Sequence, residues 1–164
     1  MIVGSRRIIL IGVIVAVVIV IVLYPLIVSV PPSELQKTEI RLYEVKALNN
    51  IEQSGMKDLQ VVFTLTNPTN MTLTISRIDY ELFADGVPLG EFRLSYEDIP
   101  VNGRPPLFPN SPVNLSSNIQ PDYSDRQRIL DKIAADATIK WKVEGTAQIE
   151  TALTQATKEF TSEI

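Results

Sequence analysis

The 164-residue chain contains no histidine and no cysteine. The absence of cysteine excludes disulfides, thiolate metal ligands and cysteine nucleophiles. Because histidine is absent too, the usual zinc sites, Ser-His-Asp nucleophiles and imidazole acid–base catalysis are excluded as well. These absences favour a non-enzymatic protein without a cofactor, and they make an unrecognised hydrolase the least favoured function class.

Acidic residues outnumber basic ones after Val30. All 19 acidic residues follow Val30, whereas two of the 15 basic residues, Arg6 and Arg7, precede Ile8. The region after Val30 is therefore more acidic than the whole chain, whose formal net charge is −4. Such a surface lacks the basic patch that nucleic acids require, and it does not attract anionic lipid headgroups. We expect no nucleic-acid partner.

Charged side chains are missing altogether from the 23 residues between Ile8 and Val30. A helix of that length reaches about 34 Å, enough to cross a hydrocarbon core of about 30 Å. The run is longer than the apolar region of a cleavable signal peptide, and it lacks a small-residue cleavage site. We therefore predict a single transmembrane helix, with the lipid bilayer as its partner.

Orientation and domain organisation follow from the same segment. Arg6 and Arg7 mark the cytoplasmic side by the positive-inside rule. The expected location is the cell membrane, crossed once, with the N-terminus in the cytoplasm and an extracytoplasmic C-terminal domain. The predicted divisions are a cytoplasmic N-terminus at 1–7, the transmembrane helix at 8–30, a proline-containing linker at 31–37 and a folded domain at 38–164.

The region after Thr38 has the periodicity of short β-strands. Seven segments are predicted as strands: 40–48, 59–66, 73–84, 87–96, 113–118, 137–151 and 157–164. Asp85-Gly86 predicts a tight hairpin, and a change of apolar parity near Ser76-Arg77 predicts a bulge. Trp141 falls on the apolar side of its strand, and one amphipathic helix follows Pro121. The pattern indicates an all-β antiparallel sandwich or barrel of about seven strands with one helix.

Several of these segments carry a resemblance to a known family. Leu59 to Thr69 ends a strand in Asn67-Pro68, and Leu73 to Phe83 is a strand that contains Tyr80. A glycine-containing hairpin and a long strand with a central glycine follow. This arrangement, over roughly 38–164, resembles the late-embryogenesis-abundant (LEA) type 2 domain, also called the water-stress and hypersensitive-response domain. The residues that carry it are Asn67, Pro68, Tyr80, Gly86, Gly90, Trp141 and Gly145.

The resemblance implies a fibronectin-III-like β-sandwich. Members of the family are linked to stress protection, to membrane-associated signalling and, by some proposals, to lipid carriage in an apolar groove. It supplies no catalytic residues to transfer to this chain. The Asn67-Pro68 step has a structural explanation, because proline ends a strand and asparagine hydrogen-bonds nearby backbone groups.

Two further kinds of site were weighed. Asn70 and Asn114 begin N-glycosylation patterns, which an extracytoplasmic domain would make usable. Acidic residues that invite a metal-site interpretation are Glu97, Asp98, Asp122, Asp125, Asp131 and Asp136. Their spacing matches no calcium loop, so we predict no metal site.

The leading functional hypothesis is a non-enzymatic, membrane-anchored β-sandwich. It would act as an extracytoplasmic binding or protective module, stress-related or envelope-associated, with an envelope protein or a lipid as its ligand. The alternative is a structural subunit of a membrane complex or of a pilin-like surface filament. Against a filament, the basic pair Arg6-Arg7 follows Gly4 instead of preceding a cleavable glycine. The oligomeric state is left open.

Overall fold

Two antiparallel β-sheets form the body of the protein. The computed structural model describes residues 3–28, 31–48, 58–121, 127–135 and 137–164. These residues form eight strands: β1 Glu39–Ala47, β2 Leu59–Thr66, β3 Leu73–Ala84, β4 Val87–Ser95, β5 Pro106–Leu107, β6 Pro112–Ile119, β7 Trp141–Glu150 and β8 Gln155–Glu163. They also form the helices α1 Val3–Val28, α2 Pro32–Leu35 and α3 Gln127–Ala134, and a 3₁₀ turn at Val101–Gly103.

The strands are arranged in a smaller and a larger sheet. The smaller sheet has the order β1-β2-β6, and the larger has the order β4-β3-β7-β8, with β5 added beside the start of β3. A hydrogen bond of 2.9 Å from the backbone N–H of Leu42 to the Ser162 hydroxyl joins an edge strand of one sheet to an edge strand of the other. The prediction of an antiparallel all-β fold is confirmed. The structure contains one strand that was not predicted, β5.

The core lies between the sheets because the strands alternate. Along β2, every second residue from Leu59 to Leu65 is buried, and the residues between them are half-buried. The centre of the core is aromatic: the Phe63 ring meets the edge of Tyr80 at 4.9 Å and of Phe160 at 6.0 Å between centroids. Trp141 is buried, as predicted.

Local signals in the sequence also appear in the register. The ladder between β3 and β7 shifts between Ile75 and Arg77, where the bulge was predicted. Asp85 and Gly86 both have positive φ angles, 51° and 80°, as a tight hairpin between β3 and β4 requires.

Asp85 also connects this hairpin to α3. Its carboxylate accepts a hydrogen bond of 3.0 Å from the backbone N–H of Lys140 and forms an ion pair with Lys132 of α3. The hydrogen bond from Lys132, followed by that from Lys140, holds the pKa of Asp85 below its usual value. The helix predicted after Pro121 is present as α3 at Gln127–Ala134, and its residues Ile129 and Ile133 are buried.

The segment before β1 is more than a spacer. The short helix α2 begins at Pro32, and Leu35 at its end is fully buried in the core. The Lys158 ammonium donates to the Gln36 carbonyl at 2.6 Å, which fastens this turn to β8. The chain therefore enters the sandwich at the start of β8.

The prediction of a membrane-spanning segment requires a correction. Within the part of the chain that the structure describes, no helix has both the length and the apolarity to cross a membrane. On this finding, the predicted single-pass location in the cell membrane, with a cytoplasmic N-terminus and an extracytoplasmic domain, is wrong.

Candidate functional site: an apolar loop end

Three connections meet at one end of the sandwich. They are 67–72 between β2 and β3, 96–111 between β4 and β6, and 151–154 between β7 and β8. Their proximity follows from the register, because Thr74 near the start of β3 is opposite both Pro106 of β5 and Glu150 at the end of β7. We call this surface the loop end.

The loop end exposes large apolar side chains. They range from 36 to 57 % exposed and are Met71, Ile99, Val101, Phe108 and Leu153. Single exposed apolar residues are ordinary, but several on adjoining loops are typical of an interaction surface. Loops held by a rigid sandwich are also where binding residues are usually found. The loop end is therefore the candidate functional site.

Asn67 holds the first two loops together. Its side chain is fully buried, and its amide nitrogen donates to the carbonyls of Met71 at 2.7 Å and Leu107 at 2.8 Å. Its amide oxygen accepts from the Thr69 N–H at 3.0 Å and from the Thr69 hydroxyl at 2.7 Å. Every polar group of this amide is satisfied, so Met71 and the residue after Leu107, Phe108, have fixed places.

Arg104 fastens the second loop to the end of β7. Its side chain is only 10 % exposed and forms an ion pair with Glu150, whose side chain is 14 % exposed. The same guanidinium donates to the Ile99 carbonyl at 2.8 Å and to the Glu97 carbonyl at 3.3 Å. A guanidinium can hold several acceptors in a fixed plane, so this bond positions the backbone at Ile99.

The residues of the family-like motif are divided between the loop end and the core. Asn67 and Pro68 lie at the loop end, whereas Tyr80 and Trp141 are buried in the core and Gly145 is half-buried in β7. Gly86 and Gly90 belong to the β3–β4 hairpin and have φ angles of 80° and 133°, which favour glycine. The motif therefore contributes Asn67, which holds the loops of the loop end together. None of the exposed apolar side chains of the loop end belongs to the motif.

Gly145 allows two strands to approach closely. It lies opposite Tyr80 of β3 and Phe160 of β8 in the sheet register. A Cβ atom at this position would lie 2.2 Å from the Asp79 carbonyl oxygen and 2.8 Å from the Tyr80 Cα. Glycine is needed here because backbone atoms, which cannot rotate away, occupy the space of a side chain.

Tyr80 is buried with an unsatisfied hydroxyl. Among the described residues the group has no hydrogen-bond partner, although the nearby Ser117 side chain acts to lower its pKa. Burial outweighs that effect and raises the pKa of Tyr80 to about 12.

Alkaline pH is therefore expected to destabilise the protein through Tyr80. The unfolded chain loses this proton near pH 10, whereas the folded chain keeps it up to about pH 12. The contribution of Tyr80 to stability is complete below pH 10 and falls as the pH rises from 10 to 12, by up to about 3 kcal/mol. Urea unfolding followed by the fluorescence of Trp141, the single tryptophan, measures this.

Tyr80→Phe tests the assignment of this pH effect. The variant should be at least as stable as the parent at pH 7, because it removes an unpartnered buried hydroxyl, and it should lose much of the alkaline decline. Tyr43→Phe, at an exposed tyrosine, should leave the decline unchanged. An identical decline in the parent and in Tyr80→Phe would assign it to other groups.

The two candidate glycosylation asparagines lie in different places. Asn70 is exposed at the loop end, beside Met71. Asn114 is exposed on β6, where its side-chain oxygen accepts a hydrogen bond of 2.7 Å from the Thr64 hydroxyl. Their modification stays a prediction. Arg6 and Arg7 fall within α1, but their side chains lie outside the described residues.

The outer face of the larger sheet is polar and charged. A shallow depression of about 530 Å³ is lined there by Glu81, which lies opposite Glu91 of β4 and Glu144 of β7. Lys142 bonds Glu144 at 2.5 Å, and this contact raises the pKa of Lys142. Arg93 similarly bonds Asp79 at 2.5 Å. We interpret this face as a solvated charged surface.

No group of three His, Cys, Asp or Glu side chains among the described residues is arranged to hold a metal ion. Of the acidic residues weighed for a metal site, Glu97 instead forms an ion pair of 3.0 Å with Arg77. The positions 122, 125 and 136 lie outside the described residues.

No protein-family profile matches the chain, and no curated protein matches its sequence. Solved structures do match. A solution structure from Arabidopsis thaliana has 14 % identity and a TM-score of 0.51, and the match covers 83 % of each chain.

What this structure shares with the chain is the fold. Two further matches have lower scores. A crystal structure from Archaeoglobus fulgidus has 17 % identity and a TM-score of 0.45, and the match covers 75 % of this chain and 94 % of the other. A candidate LEA protein has 13 % identity and a TM-score of 0.48, with 80 % and 72 % covered.

The interpretation of the sequence missed most of the loop end. It recognised Asn67 as a hydrogen-bonding turn residue, but not its bond to Leu107, 40 residues away. The prolines between Pro100 and Pro112 favour a loop, so the sequence does not predict the short strand β5. The signal in the sequence is the presence of Val101, Leu107 and Phe108 among those prolines, because several apolar residues in one connection favour a buried anchor or an interaction surface.

Proposed function

We propose that this protein is a non-enzymatic protective module, whose loop end binds apolar segments that other proteins expose when they partly unfold. The observation that carries the proposal is the set of five exposed apolar side chains on loops fastened by Asn67 and Arg104. We also assign the fold to the fibronectin-III-like sandwiches and the chain to the LEA type 2 family, on the motif that contains Asn67-Pro68.

The rigidity of the loops supports a binding role. A surface already held in its bound shape loses little conformational entropy when a partner docks. Apolar contacts carry no directional requirement, so such a surface accepts many different unfolded segments. A protective role is also what the family resemblance implies, because LEA type 2 proteins are linked to stress.

A non-enzymatic role fits the composition of the chain. The exposed carboxylates of the larger sheet lie on an open face, where water screens them, and the chain has no histidine to act beside them. A lipid ligand, which the sequence left open, has less support than a protein ligand. The described depressions lie on outer surfaces of the sheets or beside α2, and not in an apolar groove.

The proposal is tested with a defined unfolding protein. Malate dehydrogenase is heated with the full chain at equal molar concentration, at a temperature where Trp141 fluorescence shows the chain to be folded. We expect light scattering from aggregated dehydrogenase to fall at least twofold. The double variant Met71→Ser and Phe108→Ser should lose most of this protection, because it removes two of the five exposed apolar side chains of the loop end.

A matched control separates the loop end from general surface apolarity. Tyr43→Ser and Val87→Ser remove two apolar side chains that are exposed outside the loop end, on β1 and β4. This double variant should protect as well as the parent. Equal protection by both double variants, or none by the parent, would refute the proposal.

A second candidate function is that of a structural subunit in a larger assembly, such as a filament. The observation that favours it is α1, which exposes apolar side chains along its described length. This role does not depend on the loop end, and the two functions are compatible.

A further inference from the structure

The helix α1 carries a large apolar surface that this chain leaves uncovered. Each described side chain from Leu10 to Tyr24 is exposed, and the thirteen large apolar ones are between 46 and 65 % exposed. Monomeric soluble proteins rarely expose an apolar patch beyond about 300–600 Å². A helix with exposed apolar residues on all sides requires a cover.

The rest of the chain does not provide that cover. The sandwich has completed its own core, to which α2 contributes Leu35, and the described side chains of α1 remain outside that core. The loop end offers only five apolar side chains, too few to enclose thirteen.

A second copy of α1 matches this surface in length and chemistry. Thirteen large side chains, each about half exposed, present an area on the order of the 800 Å² that each partner buries in a stable interface. No charged residue lies between Ile8 and Val30, so no ion would have to be buried unpaired when such helices associate.

We propose that this protein self-associates through α1, with the helices of several copies forming a bundle that covers their apolar surfaces. Several copies are needed because one partner helix covers only one side of a helix that is apolar all round. The sandwiches lie outside the bundle and keep their loop ends. The proposal rests on the second candidate function, a structural subunit of an assembly, and names α1 as the interface of that assembly. It does not depend on binding at the loop end.

Light scattering coupled to gel filtration tests the proposal on the full chain, in buffer without detergent or lipid. We expect one species whose mass is a whole multiple of 18.3 kDa, at least twice that value. Val17→Lys places a charge in the middle of the helix and should raise the concentration needed for association at least tenfold, because the ammonium would be buried without a partner. Val87→Lys adds the same charge on β4 and should leave the mass unchanged.

A second measurement identifies the cover. The full chain is mixed with phosphatidylcholine vesicles and separated by flotation. The bundle is expected to stay in the protein fraction with its mass unchanged. A monomeric full chain in buffer, a broad range of masses without a fixed multiple, or flotation of the chain as a monomer with the vesicles would each overturn the proposal.

Discussion

Gly145→Ala is expected to lower the free energy of unfolding by more than about 3 kcal/mol. The added methyl group would lie 2.2 Å from the Asp79 carbonyl oxygen and 2.8 Å from the Tyr80 Cα. Both are backbone atoms, so β3 and β7 would have to separate where Tyr80 packs on Phe63. Urea unfolding followed by Trp141 fluorescence measures the loss.

The same methyl group at another glycine provides the control. A Cβ atom at Gly12 would meet nothing within 4 Å, so Gly12→Ala should leave the unfolding of the sandwich unchanged. If Gly145→Ala cost less than about 1 kcal/mol, the close approach of the two strands would not be a requirement of the fold.

Asn67→Ala should lower the free energy of unfolding by about 3–5 kcal/mol. The substitution removes both donors to the carbonyls of Met71 and Leu107, and it removes the acceptor for the Thr69 N–H and hydroxyl. Buried polar groups that lose their partners cost about 1–3 kcal/mol each. The measurement is again urea unfolding at pH 7.

A nearly isosteric variant distinguishes the hydrogen bonds that the Asn67 amide nitrogen donates from those that its amide oxygen accepts. Asn67→Asp keeps an acceptor for Thr69 but turns a carboxylate towards two carbonyl oxygens, so it should be at least as damaging as Asn67→Ala. Asn114→Ala, at an exposed asparagine with a single side-chain bond to Thr64, should cost less than about 1 kcal/mol. Similar losses at positions 67 and 114 would contradict the anchoring role of Asn67.

The sequence predicted the strands well because their periodicity is local. The limits of β2 and β3 agree with the predicted strands at 59–66 and 73–84, and the bulge and hairpin were found where parity and turn chemistry placed them. Such features depend on neighbours two to four residues apart, which a single sequence displays. The two-residue strand β5 was missed, because it is defined only by its pairing with β3.

For the N-terminal segment, the predicted location in the cell membrane was wrong. Charge depletion between Ile8 and Val30 correctly indicated a long helix, and α1 forms over Val3–Val28. The membrane location was inferred from the length of that uncharged run, and the described residues contain no helix that meets the requirement. The segment predicted as a linker, 31–37, also contains a core residue, Leu35. Its burial was not predicted, because the strands that cover it are distant in the sequence.

The amino-acid sequence by itself determined the class of the fold, the positions of its strands and the chemistry that the protein lacks. These depend on composition and on spacings of a few residues, which set which side of each strand is apolar. Only the tertiary structure decided that Asn67 meets Leu107, that Arg104 meets Glu150, and that three separate connections lie at one end of the sandwich. Those contacts join residues tens of positions apart, and sheet register alone brings them together.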